Sequence, residues 1–346
     1  MISFILNRLL QAVLLIFFLS LIGFWIINNI PGSYEDFLKA EEYNTEESEN
    51  SGSPIQLPLF YFGIMPEFSD EEKKNPKDIH AYRYLPQFRW NGTRNQYHEW
   101  LSKSSYSLRD SKPVTKKILE ASGWSIMFML PAILLIFFLG LFLAEWSVRS
   151  QNKRAVTIVT QVLIFFHSIP AFWLASILLI FFAGVSFLNI LPSSFVSSGA
   201  NSPWEFWTTK LHYLILPLLS IVLPTLSVVY NLSRQKYLEQ INTSSWVRMI
   251  SAGLSVKEGL SKEVRPHVLI LLLAWIASAI PLLIGGSIII ETIFAIPGTG
   301  RLLFQSITIR DWPVVHGLFL FSGALTILGI LVSDILQRKF DPRIKN

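Results

Sequence analysis

The sequence predicts an all-α membrane protein of six transmembrane helices. A long polar segment separates helices 1 and 2, and a short polar insert separates helices 4 and 5. Three observations predict it. The 346 residues are 51% hydrophobic and only 15% charged, against about 25% charged in a soluble domain. Phe (26) and Trp (11) are abundant, as expected where rings line bilayer interfaces. And six apolar stretches approach or exceed the ~20 residues a helix needs to cross a bilayer.

Taken in order, the stretches are Leu9–Ile30, Trp124–Trp146, Ala155–Phe182, Leu211–Tyr230, Val268–Phe294 and Gly317–Ile335. The first is too long for a signal-peptide core and no small-x-small cleavage site follows it, so it reads as a retained helix. Lys and Arg set the orientation. Fourteen fall on the side that holds both termini and the 147–154 and 231–267 loops, while the short loops opposite carry only Lys210, Arg301 and Arg310. Both termini are therefore expected in the cytoplasm, with 31–123 and 183–210 outside. The organisation expected is a first helix (1–30), an external segment (31–123) and a five-helix core (124–346) containing the insert at about 231–267. The external segment begins with an acidic run, "KAEEYNTEESEN", which reads as a solvated patch. Its later aromatic residues suffice for a small cap or lateral helices.

The insert, "NTSSWVRMISAGLSVKEGLSKEVRPH", is the least membrane-like part of the core. Trp246, Met249 and Ile250 share one face of a short helix. Asn242 or Thr243 can cap its start, and Gly253 can end it by adopting a left-handed conformation. Ser255 and Glu258 have capping-box spacing for a second helix. Such a helix–Gly–helix element either lies on the lipid surface or forms a docking surface for a cytoplasmic partner.

The segment Trp246-Val247-Arg248-Met249-Ile250-Ser251-Ala252-Gly253-Leu254 resembles the coupling loop of ABC importer permeases of the dipeptide/oligopeptide/nickel branch. Met249-Ile250 stand where that branch carries small residues. Other blocks follow in family order: "FILNRLL" with "IPG", "SYSLRDSKPV", "HSIPAFW", "GGSIIIETIFAIPGTGRLL", "IRDWPVVHG" and "DILQRKFDPRIK". The resemblance implies a transport subunit in the bacterial inner membrane that works beside a second permease. Two ABC ATPases would bind ATP and Mg and pull on the coupling helix, and an external substrate-binding protein would deliver the cargo. Di- or oligopeptide is the cargo it implies first, with nickel chelates and other solutes also in the branch.

The sequence carries no chemistry of its own that competes with this. There is no G-x-x-x-x-G-K-[ST] phosphate loop, so no ATP site or cofactor is expected on this chain. With no Cys and six scattered His, thiolate and zinc-hydrolase sites are unsupported, and no nucleic-acid-binding pattern appears. The two other readings are an export or scaffolding membrane protein without an ATPase and, last, a membrane-embedded enzyme. Polar groups within spans are costly, so a few residues stand out as pathway or gate candidates. Glu291, beside Phe294, is either a gate or a carboxylate bonding backbone donors in the turn that follows. His167 either lines the pathway or bonds a carbonyl freed by a proline. Pro170 should kink span three, with Pro217 and Pro224 interrupting span four similarly. Gly285-Gly286-Ser287 should allow close helix approach.

Overall fold

A computed structural model of the chain describes residues 2–29, 59–63, 89–93, 95–103, 106–183, 187–195, 211–285 and 288–340. It divides into two compact units: Met1–Ile16 with Ile118–Gln305 and Leu318–Asn346, and Phe17–Lys117 with Ser306–Gly317. The regular structure of the described residues is helical but for one two-residue antiparallel ladder, β1 (Phe62–Gly63) against β2 (Arg89–Trp90), and an isolated bridge between Tyr106 and Pro113. In order the helices are α1 (Ile2–Asn29), α2 (Gln96–Lys103), α3 (Val114–Arg149), α4 (Lys153–His167), α5 (Ala171–Ala183), α6 (Ile215–Ile241), α7 (Ser244–Ser251), α8 (Val256–Gly259), α9 (Arg265–Gly285), α10 (Ile288–Ile293), α11 (Thr299–Thr308) and α12 (Trp312–Phe340). A 3₁₀ turn, Leu211–Leu214, leads into α6, and a π-helical turn, Leu260–Val264, links α8 to α9.

Three described helices are long and apolar enough to span a bilayer: Val114–Arg149, Leu211–Ile241 and Trp312–Ile335. Span three is not one helix. α4 and α5 meet at 97° across Ser168–Pro170, because Pro170 has no N–H to continue the ladder and its ring excludes the preceding turn. If that pair is one span, the described residues hold four. Span two also differs from expectation: α3 begins at Val114, not Trp124, so its first turns belong to the segment read as external. Pro217 and Pro224 do not break span four. Pro217 sits in the first turn of α6, where an N–H has no intrahelical partner anyway, and α6 runs on through Pro224.

Two apolar clusters hold the first unit. One gathers Ile136, Leu163, Val229, Tyr230, Leu260 and Leu272, so that α3, α4, α6 and α9 share a core. Gly140 permits the closest approach there: a Cβ on it would lie 2.6 Å from Val229 Cγ1. The other gathers Phe128, Ala175, Leu216, Ile290 and Phe294 from α3, α5, α6 and α10. Polar bonds fix the register of α4 on α6, with Thr160 and Tyr230 hydroxyls 2.8 Å apart. Arg8 of α1 pairs with Asp334 of α12 at 3.0 Å.

The second unit is an aromatic cluster. Phe24 meets Phe60, Tyr97 and Trp100 with ring centroids 5.3–5.6 Å apart, and Ser20 bonds the Tyr97 hydroxyl at 2.8 Å. Its described part also holds one short helix, α2.

Candidate functional site

The insert is built as its residues dictate. Thr243 is the N-cap of α7, its hydroxyl accepting from the Trp246 N–H at 3.4 Å. The helix ends in a Schellman arrangement: Gly253 lies at φ +90°, its N–H donates to Ile250 O, and the Leu254 N–H donates to Met249 O. Ser255 and Glu258 then form the full capping box of α8. The Ser255 hydroxyl donates to the Glu258 carboxylate and holds it below the usual carboxylate range.

The structure turns the expected stripe inward. Trp246 is half-buried and packs on the α6–α9 core. Gly259 makes room for its indole: a Cβ there would lie 2.7 Å from Trp246 Cζ3. Met249 and Ile250 are also half-buried, and so is Leu254. Ser245 adds a 2.7 Å bond to Glu263 of the π turn. The face left outward is Ser244, Val247, Arg248 and Ser251, one turn apart on α7. Arg248 is on that outward face, and Val247 is 58% exposed there.

A second constellation surrounds Glu291, which is completely buried. α10 also ends in a Schellman arrangement, with Ala295 at φ +57° and the Ile296 N–H donating to Glu291 O at 2.8 Å. The chain then turns into α11, and the Glu291 carboxylate caps that helix. Oε2 accepts from the Arg301 N–H at 2.9 Å, with Gly300 a further backbone donor, and Oε1 accepts from the Ser125 hydroxyl at 2.9 Å. Ser125 Oγ accepts in turn from the Thr299 N–H at 2.8 Å. Arg301 Nη1 closes the turn on Ala295 O at 2.7 Å. Carboxylates favour helix N-termini, where unpaired N–H groups gather. The geometry is that of the carboxylate-to-backbone alternative for Glu291, and Phe294, 2% exposed, is packed in the core beneath it.

His167 and Pro170 stand apart from that constellation, exposed at the break between α4 and α5. His167 Nδ1 donates to the Pro224 carbonyl of α6 at 2.9 Å. That is not the carbonyl that Pro224 frees, which belongs to residue i−4. Gly286 and Ser287 lie outside the described residues.

Two clusters could not be read from sequence spacing. In the second unit Asp311, completely buried, accepts from the Ser107 hydroxyl at 2.5 Å and the Leu108 N–H at 3.0 Å, with Lys117 Nζ 3.9 Å away. This brings together the "SYSLRDSKPV" and "IRDWPVVHG" blocks. Desolvation raises the neighbouring Asp110, but hydrogen bonds from Ser107 and Lys117 outweigh it and hold its carboxyl low. In the first unit Glu145 of α3 accepts from Tyr237 of α6 at 3.1 Å and from Arg265 at the start of α9 at 2.5 Å. Among the described residues no cluster of His, Asp and Glu could hold a metal ion.

Comparison with known proteins gives this arrangement its family. Residues 118–346 match the family described as the inner membrane component of binding-protein-dependent transport systems. A Brucella abortus (strain 2308) protein, provisionally named a peptide transport system permease, is 28% identical over 345 residues, covering 100% of this chain and 99% of its own. The inner membrane ABC transporter permease YejB of Escherichia coli O157:H7 is 30% identical over 279 residues, 78% of this chain and 72% of its own. CntB of Staphylococcus aureus (strain NCTC 8325), a metal-staphylopine import system permease, is 26% identical over 257 residues, 72% and 77% of the two chains. These relatives are permease components of transport systems, not enzymes. The chain belongs to this inner-membrane family, the permease subunits of ABC importers.

Proposed function

We propose that this permease carries di- or oligopeptides, forming the path with a second permease. Two ABC ATPases bind ATP and Mg and dock on α7, and an external binding protein delivers the cargo. The peptide reading is supported by the name of the Brucella relative, which is matched over its whole length. The observation that carries the coupling reading is the insert itself. α7 is capped at both ends and anchored inward through Trp246, yet it leaves Val247 and Arg248 outward. An apolar side chain held beside water costs about 25 cal/mol per Å² of its area until a partner covers it. ATP-driven closure of the ATPases would move α7 and switch the permease pair between inward- and outward-open states, a rigid-body transition driven by contacts the partners make differently in the two states.

In this reading the chain has six spans and both termini in the cytoplasm. It comprises a first helix (1–30), an external segment (31–123) and a core (124–346) with the coupling loop at 231–267. His167 and Pro170 are the pathway candidates, being exposed at a helix break. Glu291 and Phe294 act by holding the turn after α10.

The test is co-purification of the ATPase and uptake of labelled peptide with Val247→Asp and Arg248→Glu variants. Both should insert normally, lose ATPase retention and lose uptake. Undiminished retention and uptake in both would remove the coupling reading and leave α7 as a lipid-surface helix. Mass spectrometry of the ligand held by the co-purified binding protein decides the cargo, and a metal chelate there would replace the peptide.

A further inference from the structure

The C-terminal half of α3 carries a stripe that changes character along its length. Phe138, Phe142 and Trp146 recur every fourth residue, and Arg149 follows at the end. With Leu141 and Arg265 they line an open groove of about 690 Å³, whose polar end also holds Glu145 and Ser150. Phe138 and Phe142 are 61% and 65% exposed. At 1.5 Å per residue, Phe138 to Arg149 spans about 16 Å, close to one leaflet of a ~30 Å hydrocarbon core.

The charge at the polar end is unbalanced. Arg265 Nη2 lies 2.5 Å from Glu145 Oε2 and Arg149 Nη1 lies 3.5 Å from Oε1, and each guanidinium side chain keeps about two-fifths of its surface exposed. One buried carboxylate thus serves two guanidiniums, so the groove ends in net positive charge, with Lys153 and Arg154 exposed just beyond. The α3 C-terminus opposes this only with its partial negative dipole, which Arg149 already faces. A second groove among the described residues, between Phe17, Trp25 and Phe62, has no charged lining residue and offers no such recognition.

We infer that this groove binds one anionic phospholipid, its acyl chain along Phe138, Phe142 and Trp146 and its phosphate at Arg149 and Arg265. Guanidinium pairs phosphate through forked hydrogen bonds, and basic pockets at the cytoplasmic ends of membrane helices suit anionic headgroups. The side of the membrane rests on the orientation proposed above; the site does not, because both leaflets of a nanodisc can be given the same lipid.

The experiment places the full-length permease, in its purified complex, in nanodiscs containing brominated phosphatidylglycerol or brominated phosphatidylcholine. The Trp146 component of fluorescence quenching is read as wild type minus Trp146→Phe. Phosphatidylglycerol should half-quench that component at about fivefold lower mole fraction, the preference expected of roughly one surface cation. Arg149→Gln removes only the longer contact to Glu145 and should bring the ratio close to one. Native mass spectrometry of retained lipid, wild type against Arg149→Gln, gives the same reading without Trp146→Phe. Equal quenching by the two lipids in the wild type would reduce the groove to ordinary annular lipid. No lipid quenching of the Trp146 component would mean that protein covers it, a second permease included. Either result overturns the site, as would a preference untouched by Arg149→Gln, and none of the three depends on the cargo or on which face is cytoplasmic.

Discussion

At Gly253 and at Ala295 the chain leaves a helix by the same route, a left-handed residue flanked by a pair of backbone bonds to the last helical turn. Around Gly253 there is nothing: a Cβ would meet no atom within 4 Å. Around Ala295 several hydrogen bonds tie the turn to its neighbours. Arg301 holds its carbonyl, the Phe195 N–H donates to Phe294 O at 2.9 Å, and Glu291 ties α10 to α11. The exposed stop depends on glycine's own freedom. The half-buried stop holds a residue in a conformation that L side chains avoid, because its surroundings over-determine it. The first suits an element with an open outer face, as the proposed coupling role of α7 requires; the second suits a fixed joint.

The largest effect should come from closing the space inside the joint. A Cβ at Gly298 would lie 2.5 Å from Glu291 Cδ, Glu291 Oε2 and Ser125 Oγ. Gly298→Ala should cost about 3 kcal/mol or more, the upper end of overpacking. It would be seen as a lower thermal midpoint in detergent, and an unchanged midpoint would show that the joint yields and would dissolve the contrast. Next is Glu291→Ala, which strands the Arg301 and Gly300 donors at about 1–3 kcal/mol. Glu291→Gln keeps an acceptor and should lose less. If the two variants melt alike, the carboxylate is not what caps α11.

Gly259→Ala should separate the regions. Its Cβ meets only the edge of the Trp246 ring, which can shift, so stability should fall by about 1 kcal/mol. Because the same shift tilts α7, uptake should fall out of proportion to the melt; uptake that tracks stability would deny α7 any separate role. Smallest is the exchange of the two stops. Gly253→Ala should lose about 1 kcal/mol, the cost of the left-handed region net of glycine's greater freedom in the unfolded chain, and Ala295→Gly should gain less than that because it also gives up a half-buried methyl, whereas a Cβ at Gly253 would touch nothing. Equal and opposite changes would mean that the neighbours of Ala295 add nothing.

Much of the insert was legible because its signals are local. Thr243, Gly253, Ser255 and Glu258 act on backbone groups within a few residues, so spacing alone defined two helices and the stop between them. Which side of α7 faces out was not legible. Periodicity groups Trp246 with Met249 and Ile250, but only the bare Gly259, thirteen residues along the chain, gives the indole a place to go. The break in span three was likewise visible at Pro170. Its 97° angle was not, and neither was the continuity of α6 through Pro224, since the same missing N–H is tolerated when neighbouring helices clamp the chain.

The sequence by itself determined the membrane class, the apolar stretches, the local caps and the family blocks. Each of these depends on composition or on neighbours a few residues away. Tertiary structure alone decided that Glu291 meets Ser125, that Asp311 meets Ser107, and that Glu145 gathers Tyr237 and Arg265. The paired side chains lie 92 to 204 residues apart in sequence. No period or spacing encodes such distances. What selects these partners is the cost of leaving a buried carboxylate without donors, and that cost arises only once the helices have closed around it.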